Sequence, residues 1–388
     1  MYSTLGPCRI VDANTDLTAS VVIEGGVIRE VHPASAGTEP AGAGLVLMPA
    51  FIDLHAHFRD PGFPAKETLE TGCRAAAAGG YGTVVCMANT DPVIDTLEQV
   101  RSLKRRSDAL GLIDLYPVLS LTKGMAGTEL SDFTRLSSNN GAVRLLSEDG
   151  RDVHNDALFL SALKEAARLG LPASLHCDAG GEASAVARAL SLGRQAGCHV
   201  HIAHVSTKDT VRLIRDAKSL FPVTCEATPH HLALTEEDAK RLGETTFGKA
   251  APPLRTEEDR QAVIAGLRDG TIDAIATDHA PHTAKDKAGG APGFTGLETA
   301  FAVCHTALVL SGLLDLRRLS ALMSAAPARI LGLADRALIA PGLRADLVLV
   351  DTGAAWTVDP EQFASKGKNS PFAGQRLYGK TYKIIEKL

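Results

Sequence analysis

Eight times between residues 46 and 333, a short apolar run rich in β-branched residues gives way to a segment of helical period. The runs read "LVLMPAFIDLHAHF", "GTVVCMANT", "LIDLYPVLSL", "AVRLLSEDG", "PASLHC", "HVHIAHVST", "VTCEATPHH" and "IDAIATDHAPH". Between them, residues 66–79, 93–108, 153–169, 181–196, 207–219, 256–269 and 296–311 carry the Ala, Leu and Arg spacing of helices. Strands alternating with helices build a parallel sheet from βα units. Eight such units predict an α/β fold, a (β/α)8 TIM barrel over residues 49–335.

Within each run the apolar residues come first and polar ones close it: His55 and His57, Asn89, Asp149, His176, His204 and Asp278. The C-terminal strand ends of a barrel form its catalytic face. An open doubly wound sheet gathers ligands at the same ends. The clustering therefore speaks for function more firmly than for closure of the ring.

The chain ends differ from the middle. Residues 1–48 and 336–388 show short strands, Gly turns and no convincing helix. Neither could bury much surface alone, so the two are expected to pair into one small β-sandwich beside the barrel. Residues 283–295, "TAKDKAGGAPGFT", are rich in Gly and Lys and read as a mobile loop over the site.

The net charge of −5 comes without a basic run or an aromatic-interleaved patch, so nucleic acid is not an expected partner. No stretch reaches the roughly 18 apolar residues of a membrane span, and "MYSTLGPCRIVDANTD" lacks the layout of a leader. No membrane partner is expected, and the cytoplasm is the expected location. The seven cysteines are odd in number and show no CxxC spacing. That excludes neither chemistry by itself but favours buried thiols over a disulfide framework or a zinc ribbon.

His55 and His57 stand two apart on a strand, which puts both imidazoles on one face and lets them hold one cation. An isolated pair of this kind is weak evidence. Its company at the other strand ends strengthens it: four histidines and two carboxylates exceed what one tetrahedral zinc needs and match a two-metal site. Mixed nitrogen and oxygen donors favour zinc, while manganese or cobalt would also fit. Hydrolysis or formation of an unactivated amide is the natural chemistry.

The other polar residues carry open readings. Arg59 either continues the face of 55 and 57, where a planar fork suits a substrate carboxylate, or begins the loop. Asn89 offers an amide to the same group or caps its strand. His282, just past the last strand, suits a substrate contact. His199 and His201 lie at odd offsets from His204 and are expected to face the surrounding helices. His230 and His231 read as supporting residues, and His32, His154 and His305 as surface or packing residues.

Taken in order, "FIDLHAHFRDPG", "KETLETGCRAAAAGGYGTVVCMANTDPVID", "SEDG", "HVSTKDTV", "EATPHHLALT", "APPLRTEEDR", "IATDHAPHTAKDK", "GLETA", "NSPFAG" and "GLRADLVLVD" run over nearly the whole chain. In these motifs the sequence resembles the amidohydrolase superfamily, and within it the type I bacterial dihydroorotases. The resemblance implies a zinc-dependent barrel that interconverts N-carbamoyl-L-aspartate and L-dihydroorotate in pyrimidine (UMP) synthesis. It implies His55, His57, Asp149 and Asp278 around one Zn2+ and His176, His204 and the shared Asp149 around a second, with Asp149 and a hydroxide as bridges. Asp278 would also move the proton. Arg59, Asn89 and His282 would hold the substrate carboxylate, and the backbone of Pro292, Gly293 and Gly296 the ring. The resemblance admits a homo-oligomer and an association with aspartate transcarbamoylase.

Some positions depart from the pattern. Ala251 stands where the family's "NPPLR" has an asparagine, "MANT" replaces "MPNT", and the stretch from His176 to His204 is short, which predicts a more open rim there. Many relatives bridge their metals with a carboxylated lysine on the fourth strand, but "AVRLLSEDG" has none. Two alternatives remain beside the dihydroorotase reading: another cyclic amidase of hydantoinase or allantoinase type, and a non-catalytic scaffold for aspartate transcarbamoylase.

Overall fold

A computed structural model describes residues 2–35, 37–40, 42, 44–136, 141–178 and 180–385. Met1 and residues 386–388, the extremes of the two expected end segments, lie outside the described residues.

The ring is built from β5 (Phe51–Ala56), β6 (Tyr81–Cys86), β7 (Asp114–Pro117) with β8 (Leu119–Ser120), β9 (Leu146–Ser147), β10 (Ala173–Leu175), β11 (Val200–Ile202), β12 (Val223–Ala227) and β13 (Ala274–Ile275). All their pairings are parallel and follow chain order. β7 and β8 are one barrel strand interrupted at Val118, whose amide donates to Cys86 O. The ring closes where Ala56 bridges His279 and the His57 amide donates to His279 O at 2.8 Å. Eight strands with closure confirm the TIM barrel.

The helices fall where the periodicity predicts them. Leu69–Ala78, Leu97–Leu110, Asp156–Leu169, Lys208–Ala217 and Glu257–Asp269 each start behind a Thr or Asn whose side-chain oxygen accepts an amide of the first turn. Such caps satisfy amides that have no partner within the helix. The apolar face of each helix lies on the ring, forming one core that reaches from Phe51 to Leu333.

Both chain ends join in a single six-stranded sheet of order β15-β14-β4-β1-β2-β3. It contains β1 (Tyr2–Val11), β2 (Asp16–Glu24), β3 (Val27–Pro33), β4 (Leu45–Pro49), β14 (Leu347–Thr357) and β15 (Arg376–Ile385). The sheet curls until Val27 pairs with Arg344, just ahead of β14, and encloses Ile10, Val21, Ile23, Ile28, Leu47 and Leu347. Arg336 and Arg344 both reach Asp114 Oδ2 at 2.6 Å, joining this sheet's approach segment to the foot of the third barrel strand.

The first apolar run of the sequence is thus two strands, not one. β4 belongs to the end sheet and β5 to the barrel, with Ala50 between them. Both are buried on both faces, so no polar residue marks the change.

Candidate metal centre

His55 closes β5 and His57 follows it; Asp149 and His176 lie just past β9 and β10, and His204 and Asp278 shortly past β11 and β13. His55 Nε2 is 3.2 Å from Asp149 Oδ1, and His57 Nε2 is 3.5 Å from Asp149 Oδ2. On the other side, His176 Nδ1 and His204 Nε2 are each 3.6 Å from Asp149 Oδ1 and 3.0 Å from one another. Asp278 Oδ1 is 3.0 Å from His57 Nε2 and 3.7 Å from His55 Nε2.

Two groups able to hold a metal ion follow, His55–His57–Asp149 and Asp149–His176–His204, with Asp149 in both. His55 Nε2 and Asp149 Oδ1 are buried and make no well-aligned hydrogen bond. Buried lone pairs gathered without donors are costly, and a cation would satisfy them. The donor set fits a metal.

Behind the cluster, Glu226 on β12 fixes His55. Its Oε1 is 3.1 Å from His55 Nδ1 and its Oε2 3.0 Å from His201 Nε2, while His201 Nδ1 meets Thr224 Oγ1 at 2.9 Å. A carboxylate on Nδ1 leaves Nε2 free to ligate. Burial alone would raise the Glu226 carboxyl, but His201 and His55 hold it down at about 2.

This corrects the expected orientation of His201. It is fully buried inside the ring, because β11 ends at Ile202 and His204 takes a left-handed backbone (φ 36°), so alternation does not carry from 201 to 204. Arg59 (φ 56°) and Asp278 (φ 45°) share that uncommon backbone. Bulky residues adopt it at a cost and persist there only where the surroundings dictate it. Asp53 supplies part of that restraint, accepting the Thr277 amide at 2.9 Å and the His55 amide at 3.2 Å.

A pocket of about 180 Å³ opens over the cluster, lined also by Arg59, Asn89, Ala251, His282, Pro292 and Gly293. Asn89 Oδ1 accepts from His57 Nδ1 at 2.9 Å, so its carbonyl orients a ring of the cluster and only its Nδ2 remains for other partners. The Arg59 Nε is buried with no hydrogen-bond partner. His282 sits 3.4 Å from Arg59 Nη2 and from Lys66 Nζ, and its Nε2 donates to Pro292 O at 2.9 Å. Gly296 does not line this pocket; its amide donates to His279 Nδ1 at 3.2 Å. Beside Gly150 and His176 a wider pocket of about 540 Å³ opens, in line with the open rim that the short 176–204 stretch predicts.

Several functional side chains carry no sequence signal of their own: Glu226, Lys66, Lys287 and Asn369, whose Oδ1 accepts the His282 amide at 3.0 Å. Only Glu226 had a usable clue, a charged residue in the middle of an otherwise apolar buried strand.

Residues 46–385 match the model of the amidohydrolase family. The chain belongs to that family. This amidohydrolase is 41 % identical to the dihydroorotase of Shouchella clausii, over 94 % of its own length and 92 % of the relative's. It is likewise 41 % identical to the dihydroorotase of Anaeromyxobacter dehalogenans, over 97 % and 95 %. Among solved structures, the L-hydantoinase (dihydropyrimidinase) of Arthrobacter aurescens superposes with a TM-score of 0.89 at 26 % identity, covering 100 % of this chain and 95 % of that one. The dihydropyrimidinase of Brevibacillus agri follows at 0.86 and 21 %, covering 100 % and 94 %, a likeness of fold. No helix among the described residues of the amidohydrolase is long and apolar enough to cross a membrane.

Buried imidazoles give the protein an acid limit. Burial pushes His231 down to about 4, and burial with Arg59 and Lys66 nearby pushes His282 down to about 3. Unfolded histidines titrate near 6.5. The unfolded chain therefore takes up protons first, and the stability present above pH 6.5 is lost as pH falls towards 4 and 3. The urea midpoint of metal-free protein is expected to drop steadily from pH 6.5 to 4, and less steeply in His282→Gln. Equal slopes for the two proteins would contradict this.

Proposed function

We propose that the protein is a dihydroorotase, hydrolysing the ring amide of L-dihydroorotate to N-carbamoyl-L-aspartate and, in reverse, closing that ring with loss of water in de novo pyrimidine synthesis. The observation that carries the reading is the pairing of a metal-competent His/Asp cluster with a guanidinium whose Nε is buried and unpartnered in the same pocket. A carboxylate is the natural partner for that fork. A neutral hydantoin ring offers none. The dihydroorotase relatives at about 41 % identity support the same choice.

In this reading His55, His57, Asp149 and Asp278 hold one zinc and His176, His204 and Asp149 a second. When bound, the cations polarise the scissile carbonyl and acidify water. The chain does the rest. Arg59, the Asn89 amide and His282 hold the substrate carboxylate, while Pro292 and Gly293 border the ring. His282 is a neutral donor at physiological pH, since burial and two adjacent cations keep it deprotonated. Asp278 takes the proton of the attacking water and gives it to the departing ring nitrogen.

We further read the protein as cytoplasmic and divide it into a barrel at 49–335 and a composite β domain from 1–48 and 336–388. Co-elution with aspartate transcarbamoylase, or a doubled mass alone, would establish the partners that the resemblance admits.

The test is turnover of dihydroorotate, hydantoin and allantoin by zinc-loaded protein, with metals counted. Dihydroorotate is expected to be preferred by at least about 100-fold in kcat/KM, with about two zinc ions per chain. Preference for hydantoin would select the other cyclic amidases, and absence of turnover with any of the three would leave the scaffold reading.

A further inference from the structure

Lys287 is fully buried in the segment expected to be a mobile loop. That segment instead begins with a capped helical turn, Ala284–Ala288. The Lys287 Nζ donates to Lys249 O at 3.0 Å, Ala291 O at 2.9 Å and Gly293 O at 3.0 Å. An ammonium has three N–H groups, so each has a partner. These partners are all neutral carbonyls. Burial and repulsion from Lys249 lower its pKa to about 8, so the cation sits here at a cost.

What it achieves is geometric. Ala291 and Gly293 flank Pro292, and both turn their carbonyls to Lys287. The Pro292 carbonyl between them turns the other way and accepts His282 Nε2. Lys249 O, the third partner, also accepts the Gly293 amide at 3.0 Å, which ties this turn to the stretch leading into Ala251. Ala251, Pro292 and Gly293 are one wall of the pocket. The wall has little slack: Gly293 has φ 115°, and a Cβ there would stand 2.6 Å from Ala280 Cβ.

We propose that Lys287 is a positioning residue for ring recognition: by holding the Ala291 and Gly293 carbonyls on one side, it presents the Pro292 carbonyl and the Gly293 backbone to the pocket. It sets substrate affinity and not the chemical step. This rests on the dihydroorotase reading for its substrate, but not for its structural consequence.

The experiment compares Lys287→Met, Lys287→Gln and Lys287→Arg with wild type as zinc-loaded enzyme. For Met, KM for dihydroorotate is expected to rise at least tenfold with kcat within threefold and metal content unchanged. Gln, which keeps two N–H donors, should lie between Met and wild type, and Arg should restore KM to within threefold. Hydrogen exchange of residues 289–294 is expected to quicken in Met and not in Arg. That readout needs no turnover, so it separates failure of this proposal from failure of the substrate assignment. Equal KM in every variant that folds, a fall in kcat as large as the fall in kcat/KM, or unchanged exchange in Met and Gln would each overturn it.

Discussion

Replacing Asp278 by Ala is expected to lower kcat for dihydroorotate by about 10³-fold while the protein keeps part of its metal. The separation of these effects follows from geometry. His55, His57 and Asp149 form a metal-competent group without Asp278, so its loss weakens that site but leaves it standing. The proton has no such substitute. Burial would raise the Asp278 carboxyl, but the His57 hydrogen bond and the neighbouring His55 and His204 hold it well below the usual carboxylate range. It therefore meets substrate as a base at any working pH. Asp278→Asn keeps the shape and should be as inactive as Ala. Substantial turnover in either variant, with metal counted, would remove Asp278 as the proton carrier.

Arg59→Met is expected to raise KM for dihydroorotate by about 100-fold, since removing one partner of a buried charge pair costs about 2–5 kcal/mol. Turnover of a neutral hydantoin should change by less than threefold, so the preference for the acidic ring collapses. The Arg59 Nε is buried without a partner, and its neighbour His282 is neutral and already bonded to Pro292. No other guanidinium lines the pocket to take over. If the variant loses both substrates equally, Arg59 supports the fold of the site and does not choose its substrate.

The strand ends were readable because a barrel strand declares itself twice, by apolar residues within it and by a polar residue where it stops. That is enough to bring His55, His57, Asp149, His176, His204 and Asp278 together. Periodicity fails where the backbone leaves the strand, which is why His201 reads as outward-facing. It also fails for Lys287, whose Gly-rich surroundings have the composition of a solvated loop; only folding reveals the carbonyls that receive it. Gly296 illustrates a further limit, since a backbone amide's partner leaves no trace in residue type.

The shared Asp149 joins two pairs of very different origin. His176 and His204 are 28 residues apart on neighbouring strands, whereas His57 and Asp278 are 221 apart and meet only at the seam where the ring closes. Short loops close at lower entropic cost than long ones, and contacts between distant segments form slowly. During folding, one half of the metal centre can assemble from a local unit while the other waits for the last strand to find the first. A chain caught in between would present Asp149, His176 and His204 to solvent as a half-site, so metal supplied during refolding acts on an unfinished barrel as well as on the native one.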